Sequence, residues 1–201
     1  MTAASGPETV RRHHLFRLVR SSDLLMRSLR GLRQLDLPDA WLVSGAIYQT
    51  VWNALTGRPP RTGLKDIDLF YFDPDTSWEA EDRQIRRAAA LFPADPPVEL
   101  RNQARVHLWA EARFGRPLPR PYRTSRDAIG HFAARTHCVA LRLSAAGRLR
   151  LHAPFGLEAI FALRLEPNPR LDNRATYEAK ALRQREVWPE LTVLPWEDRT
   201  C

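Results

Sequence analysis

Apolar residues in the first part of the chain recur at helical spacing. Leu15, Leu18, Leu24, Leu25, Leu29 and Leu32 line one face. The pattern predicts helix from Val10 to Leu35, and Ser21, Ser22 and Asp23 can cap a second helix, which places a break near residue 20. After the turn "DLPDA", the short apolar run Trp41 to Val43 reads as a strand, and Ser44–Gly45 opens the helix "AIYQTVWNAL". The loop "TGRPPRTGLK", rich in Gly and Pro, leads to the strand "DIDLFYFD". Ser77 caps the next helix, with acids in its first turn and arginines behind them. "PADPP" ends that helix, "VEL" is a short strand, and "RNQARVHLWAEARFG" reads as helix.

The proline-rich connector "RPLPRPY" comes next, then a helix opened by Thr124 or Ser125. "CVALRLSAAGRLRLHAPFG" alternates on both sides of "AAGR" and predicts a hairpin. A short helix "GLEAIFAL", the loop "EPNPRLDN" and the amphipathic helix "RATYEAKALRQREVW" follow. The expected fold is α/β (α+β): a small mixed sheet packed by helices, with N-terminal helices before it and a C-terminal hairpin plus helix after it. Residues 1–8 read as a disordered tail. Residues 9–201 read as a single domain with a core at about 40–115 and a C-terminal region at about 120–196, a length that can bury a real core.

Charge narrows the partners. The chain carries a formal +8, which favours polyanions, either nucleoside triphosphates or nucleic acid. Almost all of its cations are arginines, Lys65 and Lys180 being the only lysines; with the abundant Ala and Pro this also reads as compositional bias, with many arginines simply solvated. There is no run of about 18 apolar residues, so neither a membrane span nor a membrane partner is expected. The N-terminus lacks an apolar signal core, which makes cytoplasmic location the default. Cys138 and Cys201, the two cysteines, suggest neither a structural disulfide nor a zinc site.

One strand carries a misfit. Asp66 and Asp68 stand at the head of an otherwise hydrophobic run, and alternate residues of a strand share a face. Two acids on one face repel unless something positive sits between them, and hard oxygen ligands select Mg²⁺ or Mn²⁺. Glu99, the lone acid between Val98 and Leu100, is the candidate third carboxylate; such a clamp suits phosphoryl or nucleotidyl transfer. The turn at Ser44 and Gly45 leads into a helix and can offer backbone N–H groups to a phosphate. In the structural alternative Asp66 caps a turn and Asp68 pairs with an arginine. Asp73 and Asp75 are read as that kind of helix-capping turn.

This arrangement resembles the nucleotidyltransferase superfamily that includes DNA polymerase β: a strand with a small-residue turn ("SGAIYQTVWNAL"), a strand with Asp-x-Asp ("KDIDLFYF") and a later strand with one acid ("VEL"). It is also similar to the head of the tRNA CCA-adding enzymes and poly(A) polymerases, departing from it at Ile47–Tyr48–Gln49 and in the extra residues before Asp66. "TVWN", "GRPP", "KDIDLFYFD", "SWEAED", "NQARVHLW", "HAPFGLE" and "WPELTVL" resemble a bacterial nucleotidyltransferase-like family over about residues 40–196.

The resemblance implies a polymerase β-like core in which Asp66 and Asp68 bind Mg²⁺ bridging a triphosphate. Glu99 would share one metal and help activate an acceptor hydroxyl, while Ser44 and Gly45 would contact the β- and γ-phosphates. The implied reaction transfers a nucleoside monophosphate from an NTP and releases pyrophosphate, with a small molecule, a protein or an RNA end as acceptor. Two other readings stand beside it: a non-catalytic nucleotide- or nucleic-acid-binding protein using the basic surface, and a phosphohydrolase using the same acids.

The remaining candidates carry two readings each. Tyr48 lies one helical turn after Gly45 and can stack a base or pack in the core. Asn102, Gln103 and Arg105 follow Glu99 and can reach the nucleotide or cap the next helix. His107 reads as a packed histidine, and Lys65 as solvated.

Overall fold

The computed structural model describes residues 6–196 apart from residue 116. Helix α1 (Glu8–Ser21) and helix α2 (Asp23–Leu35) meet at Ser22, whose extended backbone breaks the helix and whose hydroxyl accepts the N–H of Leu25 at 3.3 Å. The break therefore falls where the capping residues put it. The expected tail is shorter than read, because the Glu8 carboxylate accepts the N–H of Leu157 at 3.0 Å and so fastens the start of α1 to the body. Residues 1–5 of that tail lie outside the described residues, as does Cys201.

A five-stranded sheet follows, in the order β3-β2-β1-β4-β5. Its strands are β1 (Trp41–Val43), β2 (Ile67–Tyr71), β3 (Val98–Asn102), β4 (Ala140–Leu143) and β5 (Leu149–His152). Helix α3 (Gly45–Thr56) joins β1 to β2, which run antiparallel; helix α4 (Trp78–Leu91) is the crossover that lets β3 run parallel to β2. β4 and β5 form the hairpin around "AAGR".

The register sorts the side chains onto two faces. Leu42 lies opposite both Leu69 and Leu141, and Leu69 opposite Leu100. Together with Ile67 and Tyr71 these residues are buried in one core with Leu29, Ile47, Val51 and Trp52. The second face is apolar only in its centre, where Trp41, Val43 and Ala140 cluster with Ile129 and Cys138, and Phe70 packs against their margin. On that same face, toward the β3 edge, stand Asp68, Glu99 and Arg101.

Helix α5 (Val106–Phe114) is shorter than its sequence suggested. β3 runs two residues further than "VEL", to Asn102, and a single 3₁₀ turn (Gln103–Arg105) separates it from α5. The cause is Asn102, whose Oδ1 caps Ala104 N at 3.1 Å while its backbone stays in the strand. Helix α6 (Ser125–Ile129), capped by Thr124, stops at Gly130. A second sheet that the sequence did not announce pairs β6 (Arg164–Leu165) with β7 (Thr192–Val193) in parallel, after the short helix α7 (Glu158–Phe161) and across the last helix α8 (Arg174–Val187).

α8 is fastened at both ends. The Tyr177 hydroxyl lies 3.0 Å from the carbonyl of Leu165 and 2.6 Å from that of Leu194. Just past its other end, Trp188 Nε1 donates to Asn53 Oδ1 at 2.9 Å, and Asn53 Nδ2 donates to the carbonyls of Pro60 and Thr62 at 3.3 and 3.0 Å. The long loop between α3 and β2 is thus pinned from below by α3 and covered by the Trp188 ring. No helix among the described residues is long and apolar enough to cross a membrane.

Candidate active site

Asp68 and Glu99 are register partners on neighbouring parallel strands, so their side chains leave the same face of the sheet. Asp66 precedes β2 by one residue and has the same parity as Asp68. From the other side, the antiparallel register of β1 and β2 (Trp41 opposite Phe70, Leu42 opposite Leu69) carries on to bring Val43 beside Asp68 and Ser44 one step further. The turn and the acid pair expected from the sequence therefore meet at one end of the sheet.

The electrostatics there are unbalanced. Burial, then the charges of Asp66 and Glu99, push the Asp68 carboxyl up to about 7, against the pull of Lys180. Among the described residues neither the Asp66 nor the Asp68 carboxylate accepts a hydrogen bond or forms a salt bridge. Glu99 is exposed, and its only pairing there is a long contact, 3.5 Å, to Arg101.

The three acids do not form a ready cage: among the described residues no group of three Asp, Glu, His or Cys side chains stands close enough to hold a metal ion. Mg²⁺ does not require one. It is ordinarily bound by one or two carboxylates, with water and substrate phosphates completing the octahedron. Two unpaired, mutually repelling carboxylates suit that role.

The turn at Ser44 has an unusual backbone. Ser44 adopts φ 56°, ψ −113°, a conformation normally left to glycine. Its N–H is spent on the carbonyl of Val139 at 2.8 Å, and its own carbonyl accepts the N–H groups of Ile47 and Tyr48. The Ser44 side chain caps nothing, and no described group takes the N–H donors of Gly45 and Ala46 at the start of α3. Gly45 leaves the approach open, since a Cβ there would meet nothing nearer than Gln49 Nε2 at 3.5 Å.

Three other sequence candidates are committed elsewhere. Tyr48 is 3% exposed: its ring stacks on His137 at 4.5 Å and its hydroxyl accepts from Gln184 Nε2 at 2.8 Å, so no ring face is left for a base. Burial drives its phenol up to about 12 and the His137 imidazole down to about 3, so both are neutral. Asn102 holds the turn after β2, with Oδ1 accepting from Asp73 N at 3.0 Å and Nδ2 donating to the carbonyls of Asp73 and Asp75. Arg105 pairs with Glu81 at 3.2 Å, both nearly buried, and donates to the Ser77 carbonyl. Asp73 and Asp75 form the expected turn, each accepting the backbone N–H two residues ahead, and Ser77 caps α4.

Sequence reasoning found α8 as an amphipathic helix but not what its inner face brings to the site. Its inner face carries Gln184, the partner of Tyr48 and His137, and Lys180, which interacts electrostatically with both Asp68 and Asp66. The available signal was compositional: only two of the 31 basic residues are lysines, and Lys180 is one of them.

A mixed sheet with an acid pair at the head of its second strand, beside a helix N-terminus, has the architecture of a nucleotidyltransferase. The chain belongs to a nucleotidyltransferase family, whose model matches residues 30–193. A solved structure described as a CCA-adding enzyme head domain is similar at 28% identity, with 92% of this chain and 96% of that chain covered and a TM-score of 0.77. No curated protein sequence matches the chain.

Proposed function

We propose that the chain is a divalent-metal-dependent enzyme that transfers a nucleoside monophosphate from an NTP to an acceptor hydroxyl. The carrying observation is the pair Asp66 and Asp68: two carboxylates of the same strand parity with no cation bonded to them among the described residues, one forced to hold its proton to about pH 7. They would hold Mg²⁺ or Mn²⁺, which when bound supplies charge neutralisation between the carboxylates and the triphosphate. The free N–H groups at the start of α3 would take phosphate oxygens beside them.

In the reaction the acceptor oxygen forms a bond to the α-phosphorus, and the bond from that phosphorus to the bridging oxygen breaks, releasing pyrophosphate. The hydroxyl proton passes to the Glu99 carboxylate and on to solvent, a route that its exposure leaves open. The sheet and α3 hold these groups in place before substrate arrives, so catalysis is mainly positioning and electrostatics.

The test is thermal melting with Mg²⁺ or Mn²⁺ and each of the four NTPs, in the parent and in Asp66→Ala/Asp68→Ala. Protection by at least one metal–nucleotide pair in the parent alone supports the reading. No protection, or equal protection in the double variant, overturns it. Product analysis then separates the chemistries: pyrophosphate with a modified small molecule, protein or RNA end marks transfer, and free phosphate alone marks hydrolysis.

A further inference from the structure

We infer that Lys180 and Arg183 of α8 form the clamp for the β- and γ-phosphates of the nucleotide, on the wall of the site opposite the acids. This rests on the nucleotidyl-transfer reading and adds to it two residues from the far end of the chain.

Geometry carries the inference. Lys180 lies on the inward side of α8, between the buried Tyr177 and Gln184 and next to buried Ala181. Gln184, one turn on, is locked by the Tyr48 hydroxyl at 2.8 Å and by His137 Nε2, so the orientation of α8 over the start of α3 is fixed. From that helix the Lys180 ammonium attracts Asp68 and Asp66, yet among the described residues it makes no salt bridge and no hydrogen bond. Acids and ammonium thus interact across a separation beyond ion-pair distance. A cation beside the carboxylates and phosphate oxygens beside the ammonium fill such a gap and satisfy both walls.

Arg183 stands one turn along, exposed, and its charge is felt by Lys180, Tyr48 and His137. Among the described residues it too has no bonded partner. Two unpaired cations on one helix match a polyphosphate better than a single phosphate.

A half-buried lysine with distant counter-charges is poor structural material. Burial lowers its proton affinity, and the helix would pack as well with an apolar residue there. Its unpaired ammonium is available for a ligand.

The experiment compares binding of Mg–NTP and of the matching nucleoside monophosphate to the parent, Lys180→Gln, Lys180→Arg and Arg183→Gln, using the nucleotide that protects best in melting. Lys180→Gln is expected to weaken the triphosphate by about ten- to a hundredfold, the loss of a charge-assisted contact, and to leave the monophosphate within about twofold. Arg183→Gln should show the same selectivity with a smaller loss, and Lys180→Arg should recover most of the triphosphate affinity. Unchanged triphosphate binding in Lys180→Gln overturns the clamp while leaving the acid-site reading intact. Equal losses for both nucleotides show a structural role and overturn it as well. If the parent binds no triphosphate, the transfer reading falls and takes the clamp with it.

Discussion

Asp68 on β2 and Glu99 on β3 are aligned by the parallel register, so one step of the sheet sets two carboxylates on the same face with Asp66 close behind. Such a face is costly for the isolated protein. Asp68→Asn keeps the shape and removes the repulsion. The substitution is expected to raise stability by about 1–3 kcal/mol at pH 8, read from denaturant melts without metal. It should also cut NTP-dependent pyrophosphate release by about 10²–10³-fold or more. Opposite signs in the two measurements identify a group kept for chemistry rather than for folding.

The same carboxyl makes stability depend on pH. The folded chain holds the Asp68 proton to about pH 7, while an unfolded aspartate gives it up near 3.9. Between those values the folded state binds more protons, so this group makes stability fall as pH rises, and the loss is complete above about 7. The full effect is at most about 4 kcal/mol. Urea midpoints of the metal-free protein measured from pH 4 to 8 should show this decline, and Asp68→Asn should flatten it. Mg²⁺ must displace that proton below pH 7, so its affinity should climb with pH and level off above 7.

Gly63 and Trp188 set the loop that delivers Asp66. Gly63 sits at φ 77°, and an added Cβ would fall 2.3 Å from the Trp188 ring. Gly63→Ala is expected to cost about 2–4 kcal/mol, combining backbone strain with overpacking. Gly57 is the control: its φ is also positive, at 66°, but open space surrounds it, so Gly57→Ala should cost only about 1 kcal/mol. Thermal melts of the two variants side by side measure the difference.

The acid pair, the Ser44–Gly45 turn and the strand–helix–strand order around them were legible because each depends on local rules: alternation along a strand, caps, and breakers in loops. At three positions the choice between the two readings lay outside local rules. Tyr48, Asn102 and Arg105 lie at the right places in sequence to reach a nucleotide, but long-range partners claim them: Gln184 is 136 residues from Tyr48, and the turn that Asn102 holds is 29 residues away. Lys180 went unseen for the converse reason. The acids it interacts with lie more than a hundred residues earlier, and an amphipathic helix shows no local sign of them. The pairing of β6 with β7 was equally hidden, since two-residue strands carry no periodicity.

The clasp formed by Tyr177 and the β6–β7 pair has a consequence for how large an acceptor the enzyme can serve. With α8 tied down at both ends, the wall proposed to take the phosphates is anchored to the body of the protein. The acids lie toward the opposite border of the site, where β3 is the last strand of the sheet and Glu99 meets solvent. A nucleotide seated there would present its α-phosphorus at an open margin rather than in an enclosed chamber. On the proposed reading such a margin would set no upper limit on acceptor size: the end of a polymer would reach it as readily as a free small molecule.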